Sequence, residues 1–152
     1  MLDKKFWQKI APNVVARYRE EIFDNVGKGE GARDVFGNTY DAYSKGYAIK
    51  KQSGLIKRQK AKFKNSTAPV LTGDLFNDFT LRKTDGSGFT FGTTAWGGKV
   101  KSLANLGRVI SSDKKALPDK VTEYIVEQAD DYSKKWWKRK GGGKNITIDI
   151  KV

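Results

Sequence analysis

The chain has 152 residues, and its 30 lysines and arginines outnumber 17 acidic residues, which gives a formal net charge of +13. The length suits one domain, and the charge favours a polyanionic partner, either nucleic acid or an acidic protein surface; plain surplus lysine on the surface is the alternative. Without any cysteine or histidine, disulfides, Ser-His and Cys-His nucleophiles and most transition-metal sites are excluded, and we predict no catalytic residues, no metal site and no cofactor.

An apolar residue recurs at every fourth position through residues 2–26 and predicts a long amphipathic helix with one buried face. Asp3 is placed to cap its first turn. Pro12 should kink the helix or delay its start, because proline has no N–H to donate. The glycines of residues 27–31 should end it. The stripe consists of Leu2, Phe6, Ile10, Val14, Tyr18 and Ile22, widened by Trp7, Ala11, Val15 and Val26.

Residues 34–75 are interpreted as a mostly extended basic arm that begins with a turn around Gly37. The spacing of Tyr43 and Tyr47 allows a short helical turn over residues 42–50. Because no acid occurs between Asp41 and Asp74, the arm is either a solvated loop or a contact surface for phosphates. Its candidate contact residues are Lys45, Lys50, Lys51, Lys57, Arg58, Lys60, Lys62 and Lys64.

Two alternating aromatic runs on either side of Asp85-Gly86 predict a β-hairpin. A turn at residues 71–75 should feed the first run, and a glycine turn at residues 95–98 should follow the second. Residues 99–106 are a candidate short helix. The side chains expected on the hairpin face that covers the helices are Phe79, Leu81, Phe89 and Phe91.

Leu117 and Pro118 mark the entry of a second amphipathic helix, which should run to about residue 137. Trp136 continues its apolar stripe, whereas Trp137 should point away from the core and mark an interface. The basic end of this helix is a second candidate phosphate-binding cluster, made of Lys134, Lys135, Lys138, Arg139 and Lys140. After three glycines, the alternating residues 145–152 predict a strand that closes the chain's own sheet or pairs with a neighbour's sheet edge.

Several function classes find no support in the remaining sequence patterns. Neither glycine-rich segment has the spacing of a phosphate-binding loop. Neighbouring acids such as Glu20-Glu21 should face solvent on helices rather than act as acid and base. No run has the length of a signal peptide core or a membrane span. We therefore expect a chain made in the cytoplasm, with no membrane partner and no enzymatic activity.

The order of short motifs along the chain resembles small virion morphogenesis proteins of tailed bacteriophages, which are neck, tail-completion or head–tail connector components. The resemblance rests on the D-x-x-G block at Asp34, the Y-S and Y-A-x-x-K blocks that start at Tyr43 and Tyr47, and the turn Leu71-Thr72-Gly73-Asp74-Leu75. Later matches are Leu106-Gly107-Arg108 and the helix entry at Leu117-Pro118. The strand after the three glycines and the lysine-rich arm depart from the family pattern.

The resemblance implies an α+β fold, with long N- and C-terminal helices packed on a small antiparallel β-sheet and a long basic loop in the middle. It implies a ring between portal and tail in the virion, with double-stranded DNA in its lumen and the basic residues facing DNA or portal. Residues 1–144 would form the domain and residues 145–152 a strand tail. The candidate subunit-interface residues are Tyr43, Tyr47, Trp137, Ile146, Ile148 and Ile150. A free non-specific nucleic-acid-binding protein is the alternative.

Overall fold

A computed structural model of the chain describes residues 2–24, 32–59 and 74–140. The elements are α1 (Lys4–Arg19), a π-helical turn (Glu20–Asp24), α2 (Lys45–Gln52), α3 (Asp74–Asp78), β1 (Thr80–Thr84), β2 (Phe89–Gly92), α4 (Gly97–Asn105) and α5 (Asp119–Lys140). They form an α+β fold in which helices pack on a small two-stranded antiparallel sheet. The predicted α+β class, with helices packed on a small antiparallel sheet, is confirmed.

Helix α1 begins with the predicted cap. The main-chain N–H of Phe6 donates to Asp3 Oδ1 at 2.9 Å, which satisfies one of the free donors of the first turn. The helix begins at Lys4 and continues through Pro12 to Arg19, so proline does not delay its start. The predicted stripe is buried from Phe6 to Ile22, and Val14 and Tyr18 are fully enclosed. Leu2 is half-buried, and Val26 lies outside the described residues.

The buried face of α1 is covered from two sides, by the hairpin and by α5. On the hairpin side, the Tyr18 ring lies 5.3 Å from Phe79 and 4.9 Å from Phe91, between ring centroids. On the α5 side, the Phe6 ring lies 5.1 Å from Tyr132. Because aromatic side chains bury large areas, these contacts make α1 the centre of the core.

The hairpin forms where it was predicted, with Leu81 opposite Phe91 and Thr84 opposite Phe89. A bulge between Leu81 and Lys83 adds one residue to β1, and bulges of this kind bend and twist a strand. The extra residue is Arg82, whose Nη2 donates to the Gly92 carbonyl at 2.9 Å. The predicted aromatic face of the hairpin packs on the core.

Helix α5 begins at Asp119, directly after Pro118, and its Val121 and Ile125 are fully buried. The helix entry and apolar stripe are as predicted, and the helix ends three residues beyond the expected limit. The Tyr132 hydroxyl donates to Asp3 Oδ2 at 3.0 Å, so the beginning of α1 and the middle of α5 are joined directly.

Two local predictions differ from the structure. The predicted turn at residues 71–75 does not lead directly into the first strand, because Asp74–Asp78 form the short helix α3 and the strand begins only at Thr80. The turn expected at residues 95–98 is shorter, because Gly97 and Gly98 already belong to α4. The glycine connector at residues 27–31, the middle of the arm at residues 60–73 and the predicted C-terminal strand lie outside the described residues.

Candidate functional site

The arm begins with a turn built on the Asp34 carboxylate. Asp34 Oδ1 accepts hydrogen bonds from the main-chain N–H groups of Phe36 and Asn38, at 2.9 and 2.8 Å. Gly37 adopts a φ of 89°, in the left-handed region that glycine enters without a steric penalty. The turn around Gly37 predicted from the sequence is confirmed, and the Asp34 side chain that organises it is 7% exposed.

The segment that follows α4 holds the arm against the core. Gly107, with a φ of 72°, ends the helix as left-handed glycines commonly do. The Val109 carbonyl accepts the main-chain N–H of Val35 at 2.9 Å. Arg108 Nη2 donates to the Asp41 carbonyl at 2.9 Å. Two hydrogen bonds thus join parts of the chain that are more than sixty residues apart.

Behind this contact, two cations lie against one tyrosine ring. Arg108 Cζ is 4.2 Å and Lys51 Nζ 4.6 Å from the centroid of the Tyr43 ring. Lys51 is 1% exposed and Arg108 9%. We call Tyr43, Lys51 and Arg108 the buried cation cluster; the Tyr47 ring packs on it, with its centroid 4.8 Å from that of Tyr43. Cation–π attraction is strongest in such desolvated positions.

The electrostatics of the cluster follow from its burial. Desolvation and, after it, the nearby Arg108 charge together lower the pKa of Lys51 to about 8, since both favour the neutral amine. Desolvation likewise raises the pKa of the Tyr43 hydroxyl. No described carboxylate forms an ion pair with Arg108. Three buried polar atoms in this part of the fold have no hydrogen-bond partner among the described residues: Tyr40 Oη, Gln59 Oε1 and Arg108 Nε.

Lys51, which was predicted to face phosphates, instead lies inside the protein. It is the buried residue of α2, and its ammonium lies against the Tyr43 ring. The cluster therefore helps to position α2 on the core. Sequence reasoning missed the structural role of Arg108; its only signal was the motif Leu106-Gly107-Arg108.

The other described cations of the arm are on the surface. Lys45, Lys50, Lys57 and Arg58 are all exposed. In the sequence they flank two exposed apolar residues, Ile49 at 64% and Leu55 at 77% exposure. We call these six residues the basic surface. Lys60, Lys62 and Lys64 lie outside the described residues.

The second basic cluster is on the last turns of α5 and is partly neutralised. Lys134 forms an ion pair with Asp130, which raises the pKa of Lys134. Lys135 and Lys138 are exposed. The side chains of Arg139 and Lys140 lie outside the described residues, although both residues are helical.

The predicted interface residues fall into two groups. Tyr43 and Tyr47 are half-buried within the arm, and Trp137 is half-buried on α5, where its ring meets that of Trp136 edge to face at 5.0 Å. Ile146, Ile148 and Ile150 are not described. The role of all six in subunit contacts stays a prediction.

The first half of α5 presents an acidic stripe, whose carboxylates face solvent as predicted for acids on helices. Glu123 and Glu127 are exposed on either side of Val126, which is itself 50% exposed. These residues line a shallow groove together with Asp119, Thr122 and Asp130. The only signal of this stripe in the sequence is Val126, an apolar residue on an otherwise polar helix face.

Among the described residues, no acidic side chains are grouped in a way that could hold a metal ion. None of the helices in the described ranges is both long and apolar enough to span a bilayer. Comparisons with protein-family models, with curated proteins and with solved structures found no match for this chain.

Proposed function

We propose that this chain is a non-enzymatic structural protein of a tailed-bacteriophage virion, which forms a homo-oligomeric ring at the head–tail junction around the DNA channel. Its partners would be further copies of itself, the portal or adaptor and tail proteins, and double-stranded DNA in the lumen. The proposal rests on the motif resemblance and on one structural observation about the residues that carry it.

That observation is the convergence of the motif residues in space. Asp34 builds the turn that opens the arm, Tyr43 and Lys51 form the buried cation cluster, and Arg108 from the later motif completes it. Motif residues separated by more than fifty positions thus share one task, which is to fix the arm on the core. A sequence pattern of this kind favours a structural role over a catalytic one.

The anchored arm suits a protein that lies beside DNA without reading its sequence. The exposed Lys45, Lys50, Lys57 and Arg58 are mostly lysines, which act as point charges rather than as bidentate partners of a base. Contacts of this kind attract phosphates regardless of sequence and weaken with salt. A channel that DNA must pass through requires weak and unspecific attraction of this type.

The finer features of the proposed architecture are the long basic loop of residues 34–75 and the C-terminal strand of residues 145–152. Alternation in the strand would allow it to add to the sheet edge of a neighbouring subunit. Rings of identical subunits are built from such head-to-tail contacts.

The location of the protein in phage particles tests the proposal directly. We expect cryo-electron microscopy of virions from the host that encodes the chain to show its α1, hairpin and α5 core between portal and tail. The symmetry of the density would give the number of copies in the ring. Absence of the protein from every particle would overturn the proposal.

The exposed basic surface also supports the alternative, a free nucleic-acid-binding protein. If four phosphates are neutralised, affinity for duplex DNA should fall by about 100-fold between 50 and 200 mM salt. Replacing Lys50, Lys57 and Arg58 with glutamate should then abolish binding, whereas the same replacement at Lys4, Lys5 and Lys9 on α1 should weaken it only slightly. Tight binding at physiological salt, together with absence from virions, would favour this alternative.

A further inference from the structure

The charges of this chain are distributed unevenly between two exposed surfaces. The basic surface of the arm carries four cations, none of which forms an ion pair among the described residues. On α5, Glu123 and Glu127 have no hydrogen-bond or ion-pair partner among the described residues. Asp119 and Asp130, at the ends of the acidic stripe, are paired with Lys115 and Lys134.

Both surfaces also expose apolar side chains. On α5, Val126 is 50% exposed beside the two glutamates, and the half-buried Trp137 follows about three helical turns later on the same side as Val126. On the arm, Ile49 and Leu55 are 64% and 77% exposed. Interfaces commonly combine an apolar centre with a charged rim, and complementary charges fix the register and suppress wrong pairings.

We propose that the acidic stripe of α5 receives the basic surface of a second copy of this chain. Glu123 and Glu127 of one copy would face Lys50, Lys57 and Arg58 of the next, around a centre formed by Val126 and Ile49. The inference rests on the proposed ring, for which it names the contact between neighbouring subunits. Lys50, Lys57 and Arg58 would then be covered by the next copy, and the exposed cations left to face DNA would be Lys45 on the arm and Lys135 and Lys138 on α5.

The contact is head to tail, because the two surfaces differ and lie on separate elements of the chain. Each copy then offers one free acidic stripe and one free basic surface, and repetition of the contact closes a ring or extends a filament. DNA is excluded as the occupant of the acidic stripe, since phosphates and carboxylates repel each other. A second copy supplies the required charge and apolar side chains without any further protein.

Because the chain contains no cysteine, site-specific disulfide trapping can test the contact cleanly. We would prepare two separate variants, Glu127→Cys and Lys50→Cys, so that any disulfide between the two must join different copies. Mixing them under mild oxidation should give a heterodimer in greater amount than either variant gives alone. The heterodimer should be lost at 1 M salt, where the screening length falls to about 3 Å.

The matched control pairs Glu127→Cys with Lys9→Cys, which places the thiol on an exposed lysine of α1 that the proposal does not use. Equal heterodimer with this control would overturn the proposal. Preferential homodimers of Glu127→Cys would also overturn it, because they would show a face-to-face contact of two α5 helices. If Glu127→Cys forms no disulfide with Lys50→Cys but does form one with a protein of a cell extract, the stripe binds a different protein and the proposal is likewise overturned.

Charge reversal gives a second, independent measurement. One double variant reverses the stripe (Glu123→Lys with Glu127→Lys), and the other reverses the basic surface (Lys50→Glu with Lys57→Glu). Each alone should abolish the association that sedimentation detects at high protein concentration. A one-to-one mixture of the two variants should restore it, because every reversed stripe then meets a reversed basic surface. The control Asp113→Lys changes an exposed acid outside α5, away from the stripe, and it should have no effect. Failure of the mixture to recover would overturn the contact.

These results separate the contact from the proposed function. A trapped heterodimer combined with absence from virions would refute the virion role while supporting the contact. If density at the neck showed the subunits joined through other surfaces, the virion role would be supported and the contact refuted.

Discussion

At the scale of single residues, the most unusual feature is Lys51, a lysine enclosed by the protein beside Arg108. Burial lowers its pKa to about 8, below the value of about 10.4 in an unfolded chain. Between these values the unfolded state binds more protons, so the free energy of unfolding rises with pH across this window. Below pH 8, Lys51 is charged in both states and the cost of burying its charge is fully present.

Replacing Lys51 with methionine should therefore stabilise the protein at pH 7, by about 1 to 3 kcal/mol, because an apolar side chain of similar length fills the site without the charge. The gain should shrink as the pH rises towards 9.5. Urea unfolding at pH 7, 8.5 and 9.5 measures this difference.

Lys50→Met is the matched control, since Lys50 is the exposed neighbour on the same helix. It should change the free energy of unfolding by no more than about 0.5 kcal/mol at any of these pH values. A gain for Lys51→Met that is equal at pH 7 and 9.5 would contradict the assignment of the shifted pKa to Lys51.

At the scale of elements, α2 differs from the other helices in how it is held. It covers the core through Lys51 alone among its buried residues, and Arg108 bonds the chain that precedes it through the Asp41 carbonyl. Helix α1, by contrast, is packed along its whole length between the hairpin and α5. The free energy of local opening should therefore be smaller for α2 than for α1.

Arg108→Met should release α2 while leaving the rest of the fold intact. It removes the hydrogen bond to Asp41 and the cation–π contact with Tyr43, but keeps much of the apolar stem. We expect faster amide hydrogen exchange in residues 45–52 and unchanged exchange in α1 and β1. Mass spectrometry of peptides from both regions provides the measurement.

Arg82→Met is the control, because Arg82 also donates hydrogen bonds to main-chain carbonyl groups but lies in the hairpin. Its guanidinium contacts Asp78 and Gly92, so faster exchange should be confined to the hairpin. Uniformly faster exchange in the Arg108 variant would show that this arginine supports the entire core rather than the arm.

The elements that sequence predicted well are those with a local signal. The four-residue spacing of α1 and α5 and the Asp85-Gly86 turn between aromatic runs each specify a structure within twenty or so residues. The buried cation cluster has no such signal, because it requires Lys51 and Arg108 to meet across the fold. Helix α3 has only a very short local signal: Phe76 and Phe79 are three residues apart, which suits a helical turn, and only Phe79 and Leu81 have the two-residue spacing of a strand.

At the scale of the whole molecule, the sequence predicts that residues 1–144 form the folded domain and that residues 145–152 contact a neighbouring subunit. Among the described residues, α1 packs against both the hairpin and α5. The alternating tail, with Ile146, Ile148 and Ile150 on one side, would then serve a neighbouring subunit.

Deleting residues 145–152 should abolish incorporation into phage particles and leave the thermal unfolding temperature of the free chain unchanged. Complementation of a phage that lacks the gene measures incorporation, and circular dichroism measures unfolding. A variant that keeps the tail but carries Thr147→Ser and Asp149→Asn, on the polar side of the strand, should be incorporated normally. A lower unfolding temperature after the deletion would mean that the strand belongs to its own core.

The position of α1 at the centre of the core has a consequence for synthesis on the ribosome. Its apolar face emerges first, yet its partners Phe91 and Tyr132 lie at least seventy residues later. At about 5 to 20 residues per second, the nascent chain carries this uncovered face for several seconds or more before α5 is made. Messages that end before α5 should therefore yield fragments that aggregate or require a chaperone, while the finished chain can close its core at once.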